Sequence, residues 1–205
     1  MSDIVYIFPG FNEYPDNVGY KKVSKIFKQF NIEPMVINVD WAQKNKTFYD
    51  FVEDFIKYYN TTTHSDDVHL IGFSAGAWIA FMVSLVIKPK YTITCSLSPY
   101  FKEDMHFWKE KWINGIGKKQ FEMFKNYKFE ELVKEVNSKI IFLYGEKEID
   151  LVKNRSEFAH TKIKNSKLIS IPNAKHNIRQ LEYLHAVREA VNAEINIAGE
   201  KSHML

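Results

Sequence analysis

A single cysteine stands among the 205 residues, so no disulfide can close within the chain. Cys95 lies inside the apolar run 91–97 and reads as a buried, inert thiol rather than a nucleophile. Lack of disulfides suits a reducing compartment, and a cytoplasmic location is the expectation. No apolar run reaches the length of a membrane span. The N-terminus passes directly into Ile4-Val5-Tyr6-Ile7-Phe8, which reads as a first strand and not as a signal sequence. The glycines at 72–76 form neither of the phosphate-cradling patterns, G-x-G-x-x-G or G-x-x-x-x-G-K-[ST], which disfavours nucleotide binding. No His/Cys/Asp cluster has metal-ligand spacing, so neither a metal nor a cofactor is expected. Lysine supplies most of the positive charge but is scattered, and the net charge is only +3. A basic stripe of the kind that binds nucleic acid is missing.

What is present is the composition of a soluble globular domain, 45% hydrophobic and 26% charged, at a length that can bury one sizeable core. Short apolar runs at 4–8, 34–39, 68–73, 91–97, 139–144 and 167–171 alternate with helical spacing at 18–30, 47–60, 75–88, 151–164 and 179–195. Such alternation predicts an α/β fold with a mostly parallel sheet and helices on both faces. No repeat, low-complexity tract or Pro/Gly/Ser-rich linker divides the chain. The expectation is therefore one domain over 1–197, followed by a frayed tail at 198–205. One interval breaks the rhythm. Residues 99–137 carry Tyr100, Phe101, Phe107, Trp108, Trp112, Phe121, Phe124, Tyr127 and Phe129. A small helical cap over a site at the strand ends is the reading preferred here, and two extra core helices are the alternative.

The densest chemical signal is Val68-His69-Leu70-Ile71-Gly72-Phe73-Ser74-Ala75-Gly76, a buried strand running into a G-x-S-x-G turn and an apolar helix. A serine at the apex of such a turn has a strained backbone, and glycines on either side let strand and helix approach closely. Its hydroxyl would project above the sheet at the positive end of the helix. Serine is a weak nucleophile near neutral pH and needs a base, usually an imidazole held by a carboxylate. After the strand at 167–171 comes Pro172-Asn173-Ala174-Lys175-His176-Asn177, a loop from which His176 can reach Ser74. His185 and His160 fall within helices and His69 within a strand, while His64, His106 and His203 read as surface residues.

For the acid, the strand at 139–144 opens into Gly145-Glu146-Lys147-Glu148-Ile149-Asp150. Glu148 and Asp150 are the candidates there, Glu146 reads as a solvated turn residue, and Glu103 or Asp104 is a third option. An oxyanion hole needs backbone N–H groups aimed at the developing charge. Ala75 would supply one, and Phe11, in the loop Phe8-Pro9-Gly10-Phe11-Asn12, the other.

Taken together, these segments resemble the α/β-hydrolases, in particular their small members, and the resemblance spans nearly the whole chain. It rests first on Leu70-Ile71-Gly72-Phe73-Ser74-Ala75-Gly76, then on His176, on Gly145-x-x-Glu148 and on Phe8-Pro9-Gly10-Phe11. In that family the acid commonly lies three residues after the glycine, which transfers the role to Glu148, although the family usually has aspartate there. Pro9 stands where the family has histidine, and Lys175 where it often has glycine. The resemblance implies a three-layer fold with a compact six-stranded sheet. It also implies a serine hydrolase acting on an ester or thioester of a small to medium acyl group through an acyl-enzyme. An acyltransferase or a catalytically silent binding protein on the same scaffold is the alternative.

Overall fold

The computed structural model describes residues 3–43, 45–62 and 67–202. Its strands are β1 (Ile4–Phe8), β2 (Glu33–Val36), β3 (Val68–Phe73), β4 (Tyr91–Cys95), β5 (Lys139–Gly145) and β6 (Ser166–Ile171). They form one sheet in the order β2-β1-β3-β4-β5-β6, and every pairing is parallel. Strands buried on both faces need no polar alternation, which is why 68–73 and 139–144 read as mostly apolar runs. From β1 the chain steps one way to β2; from β3 it steps the other way to β4. The reversal leaves a crevice at the carboxyl ends of β1 and β3, the place where open α/β sheets bind ligands.

Helices α1 (Val18–Lys28) and α8 (Leu181–Ser202) cover one face of the sheet. On the other lie α2 (Phe48–Thr61), α3 (Ala75–Ile87) and α7 (Asp150–Lys162). This is the three-layer architecture the alternation predicts. Two strands stop earlier than expected. β2 is an edge strand whose register with β1 ends at Val36, opposite Ile7. β4 ends at Cys95 because Ser96 takes a positive φ of 56°. The last helix is longer than expected: residues 198–202, read from sequence as tail, continue α8. Gly199 costs a helix only about 1 kcal/mol, and Ala193, Glu194, Ala198 and Glu200 around it are good helix formers. Residues 203–205 lie outside the described part.

The insert 99–137 contains α4 (Glu110–Ile116), α5 (Lys118–Phe124) and α6 (Phe129–Leu132), with 3-10 turns at Lys102–Phe107 and Val133–Glu135. It explains a peculiarity of α3, whose sequence AGAWIAFMVSLVI is apolar all round. Such a helix must be covered on every side. The sheet covers one side of α3, and rings of the insert cover another. Trp78 meets Phe101, Phe124 and Tyr127, while Phe81 meets Phe101 and stacks on Phe129. The insert is tied to α7 by a buried ion pair between Asp104 and Arg155. The guanidinium of Arg155 sits within 5.2 Å of the Phe101, Phe129 and Phe158 ring centres. Breaking such a pair strands a buried charge, so the insert is held in a fixed position against α7.

Candidate active site

Ser74 sits between β3 and α3 with φ 55° and ψ −119°, a conformation that costs a non-glycine residue on the order of 1–3 kcal/mol. Its neighbours hold it there. The Ser74 N–H donates to the Cys95 carbonyl at 2.9 Å, and the Ser74 carbonyl accepts from Ala77 and Trp78. Side chains are excluded on both sides of the turn. A Cβ on Gly72 would stand 2.1 Å from the Gly76 carbonyl oxygen, and one on Gly76 would stand 2.1 Å from that of Phe8. The second glycine thus lets the β1 loop press against the start of α3, bringing Phe11 to the serine.

The β6–α8 loop returns His176 to the same point. Its Nε2 is 2.9 Å from Ser74 Oγ, and its Nδ1 is 3.2 Å from Glu148 Oε2. The ring packs on Phe73 with centres 4.8 Å apart. A carboxylate only accepts hydrogen bonds, so Nδ1–H donates to Glu148 and Nε2 is left to accept from the serine hydroxyl. Glu148 is fully buried, whereas His176 is 44% exposed. Burial by itself would raise the Glu148 pKa. Hydrogen bonds from His176, Tyr183 and Ser96 outweigh it and hold the carboxyl below its ordinary value. Oε1 accepts from Ser96 Oγ at 2.7 Å, from the Gly145 N–H at 3.1 Å and from the Tyr183 hydroxyl.

The other acids are engaged elsewhere. Asp150, the alternative acid, opens α7 with its carboxylate 86% exposed and paired to Lys153, not to His176. Glu103 accepts from the Phe129 and Glu130 N–H groups, and Asp104 holds Arg155. Glu146 is exposed and accepts from Ser170 Oγ. Among the histidines, His69 is buried beside Asp3, His160 bonds Ser166, and His106 lies against Phe107. His185 is exposed on α8; His64 and His203 lie outside the described residues.

Three features were not foreseen from sequence. Tyr183 and Ser96 complete the cradle of Glu148. Ser98, buried after β4, brings its Oγ to 3.5 Å from Ser74 Oγ. The β1 loop is braced by Tyr20, whose hydroxyl donates to the Glu13 carboxylate and accepts from the Gly10 N–H at 2.8 Å. Burial and the Glu13 charge push the Tyr20 pKa far up, so it stays a neutral donor. Beyond this brace, neither the Phe11 nor the Ala75 N–H meets a hydrogen-bond acceptor among the described residues.

Above Ser74 opens a cavity of about 580 Å³. Its walls include Phe11, Pro99, Tyr100, Trp108, Trp112, Ile116, Ile149 and Val152, with Lys111 as a charged group and Ser74, Ser98 and His176 as polar ones. The insert's aromatics divide between two tasks. Tyr100, Trp108 and Trp112 line the cavity, while Phe101, Phe124 and Phe129 are fully buried in the core. Among the described residues no cluster of three or more His, Cys, Asp or Glu side chains could hold a metal.

The depressed Glu148 pKa has a stability consequence with a definite sign. The contribution is present above the ordinary carboxyl value of 4.5 and is lost as pH falls through the lower folded value. Tyr183→Phe removes one donor to the charged form, worth about 2 kcal/mol. The variant's folded pKa therefore moves back toward the ordinary value, and its acid-side loss of stability becomes smaller. Urea midpoints measured between about pH 3 and 6 test this, and an unchanged pH profile would contradict it.

No family model matches the sequence, and comparison with curated proteins finds no relative. Solved structures match it throughout. Est1E from Butyrivibrio proteoclasticus, solved with ferulic acid bound, superposes with a TM-score of 0.80 at 14% identity, over 95% of this chain and 90% of that one. The mouse alpha/beta hydrolase domain-containing protein 10 gives 0.71 at 14%, over 95% and 90%. A putative lipase from Acinetobacter baumannii gives 0.72 at 12%, over 97% and 85%. The chain has the α/β-hydrolase fold.

Proposed function

We propose that the chain is a serine hydrolase that cleaves esters or thioesters of small to medium apolar acyl groups. The observation that carries this reading is the 2.9 Å approach of His176 Nε2 to the hydroxyl of a strained Ser74, at the floor of an apolar cavity. A silent binding protein gains nothing from holding a serine at φ 55° beside a base oriented by a buried carboxylate.

In this reading Ser74 Oγ attacks the acyl carbonyl as His176 Nε2 takes its proton. The Phe11 and Ala75 N–H groups stabilise the oxyanion, a contribution of about 3 kcal/mol per donor. His176 then protonates the departing alkoxide or thiolate, leaving an acyl group on Ser74. Water enters past the partly exposed imidazole and attacks the acyl carbonyl as Nε2 takes its proton. His176 then returns that proton to Ser74 Oγ as the bond from Oγ to the acyl carbon breaks and the acid leaves. Glu148 keeps the Nδ1–H tautomer and stabilises the imidazolium throughout. The acyl chain lies against Tyr100, Trp108 and Trp112, and no step requires a cofactor.

A series of p-nitrophenyl esters from acetyl to octanoyl tests the acyl assignment. Each buried methylene contributes about 0.8 kcal/mol, so kcat/KM is expected to rise roughly fourfold per carbon until the cavity fills. An aryl acyl ester belongs in the series because Est1E binds an aromatic acid. Equal turnover across the series would contradict the apolar pocket.

A further inference from the structure

Exposed apolar side chains are ordinary one at a time; their placement is what informs. Val18 is 55% exposed and Leu181 74% exposed. Each is the first residue of a helix that follows the carboxyl end of a strand, the sheet end that carries Ser74. Helices α1 and α8 therefore run in the same direction on one face of the sheet, each starting at the active-site end with an exposed apolar residue.

The same spacing follows on both helices. Lys22 and Lys25 stand four and seven residues after Val18, and His185 and Arg188 stand four and seven after Leu181. Positions so spaced share one helix face. The two faces meet in a groove of about 450 Å³ whose walls include Lys22, Lys25, Leu181, His185 and Arg188 and no carboxylate. Among the described residues Lys22, Lys25 and Arg188 form no ion pair with an acid. Helix α1 contains no acidic residue. Glu182 and Glu189 stand three residues before and four after His185, about 60° and 40° around α8 from it, and so border the groove without lining it.

We propose that this edge of the active-site rim docks on an anionic lipid–water interface. At about 1.5 Å per residue, the two lysines lie roughly 6 and 10 Å below Val18 along the helix axis. With Val18 and Leu181 inserted at the acyl boundary, Lys22 sits within the headgroup layer and Lys25 just outside it, both near the anionic surface. An acidic protein would be matched by the charge but gives no reason for apolar tips ahead of the cations. Docking in this orientation turns the end of the sheet that carries Ser74 toward the interface. The inference goes beyond the hydrolase reading, since binding can be measured without any turnover.

The test is sedimentation of the full chain with vesicles of phosphatidylcholine alone and of phosphatidylcholine mixed with phosphatidylglycerol. Partition onto the mixed vesicles is expected, falling as salt is raised. Each cation at such a surface is worth about fivefold in partition, so K22Q/K25Q/R188Q should bind about a hundredfold more weakly. V18S/L181S should weaken binding at unchanged charge, and both variants should hydrolyse a soluble ester normally. Equal binding to the two vesicle types overturns the proposal, as does binding insensitive to salt; the salt series decides this on the unmodified chain. Groove-dependent binding of polyglutamate or inorganic pyrophosphate, without binding to vesicles, also overturns it and assigns the groove to a soluble anion.

Discussion

Ser74→Ala is expected to lower kcat/KM on p-nitrophenyl esters by about 10⁴- to 10⁶-fold, the range seen when a nucleophile that acts together with its base is removed. The substitution deletes one hydroxyl. The interactions that fix the turn belong to the backbone: the Ser74 N–H on the Cys95 carbonyl, and the Ser74 carbonyl accepting from Ala77 and Trp78. His176 loses a partner but is 44% exposed, so water can replace it. The thermal midpoint should therefore stay close to wild type. Activity loss with retained fold is the signature of a nucleophile; activity retained in full would remove Ser74 from the chemistry.

Glu148→Gln should have the second largest effect. Glutamine has the shape of glutamate but replaces one acceptor oxygen by an NH₂ donor. If that amide turns toward His176, it faces Nδ1 and favours the tautomer whose Nε2 carries the proton, which cannot deprotonate Ser74. If it turns the other way, it meets Ser96, Tyr183 and Gly145, all of which donate to Oε1 in the native chain. A loss of about 10⁴-fold in kcat is expected from the wrong tautomer. Asp150→Asn is the matched comparison. Its carboxylate is exposed and, among the described residues, pairs with Lys153, three residues on, so turnover should be close to wild type. Loss confined to the Asp150 variant would reverse the assignment.

Much of the fold is legible in the sequence because the central strands are short, mostly apolar runs bounded by turn residues. The elbow is legible too, since a glycine on either side of Ser74 is a steric demand that shows in five consecutive letters. His176 follows from topology: a loop leaving the last parallel strand emerges at the serine's end of the sheet. The choice between Glu148 and Asp150 does not follow from local spacing, because both lie within one turn of the same loop. What separates them is where α7 begins. Its first residue is Asp150, which points to solvent, while Glu148 turns inward beneath the histidine. Ser96 and Tyr183 were hidden for a different reason. They are 52 and 35 residues from Glu148, and only the positive φ at Ser96 and the packing of α8 bring them together. The division of the insert's aromatics between cavity and core likewise depends on which side of α3 each ring meets.

The most direct measurement is labelling with a fluorophosphonate, followed by mass spectrometry of the modified peptide. Attack by Ser74 on the phosphorus expels fluoride and leaves a stable phosphonyl ester. The account predicts one adduct, on Ser74, absent in Ser74→Ala and formed far more slowly in His176→Ala. No adduct on the folded wild-type chain, or an adduct on another residue that survives Ser74→Ala, would contradict it.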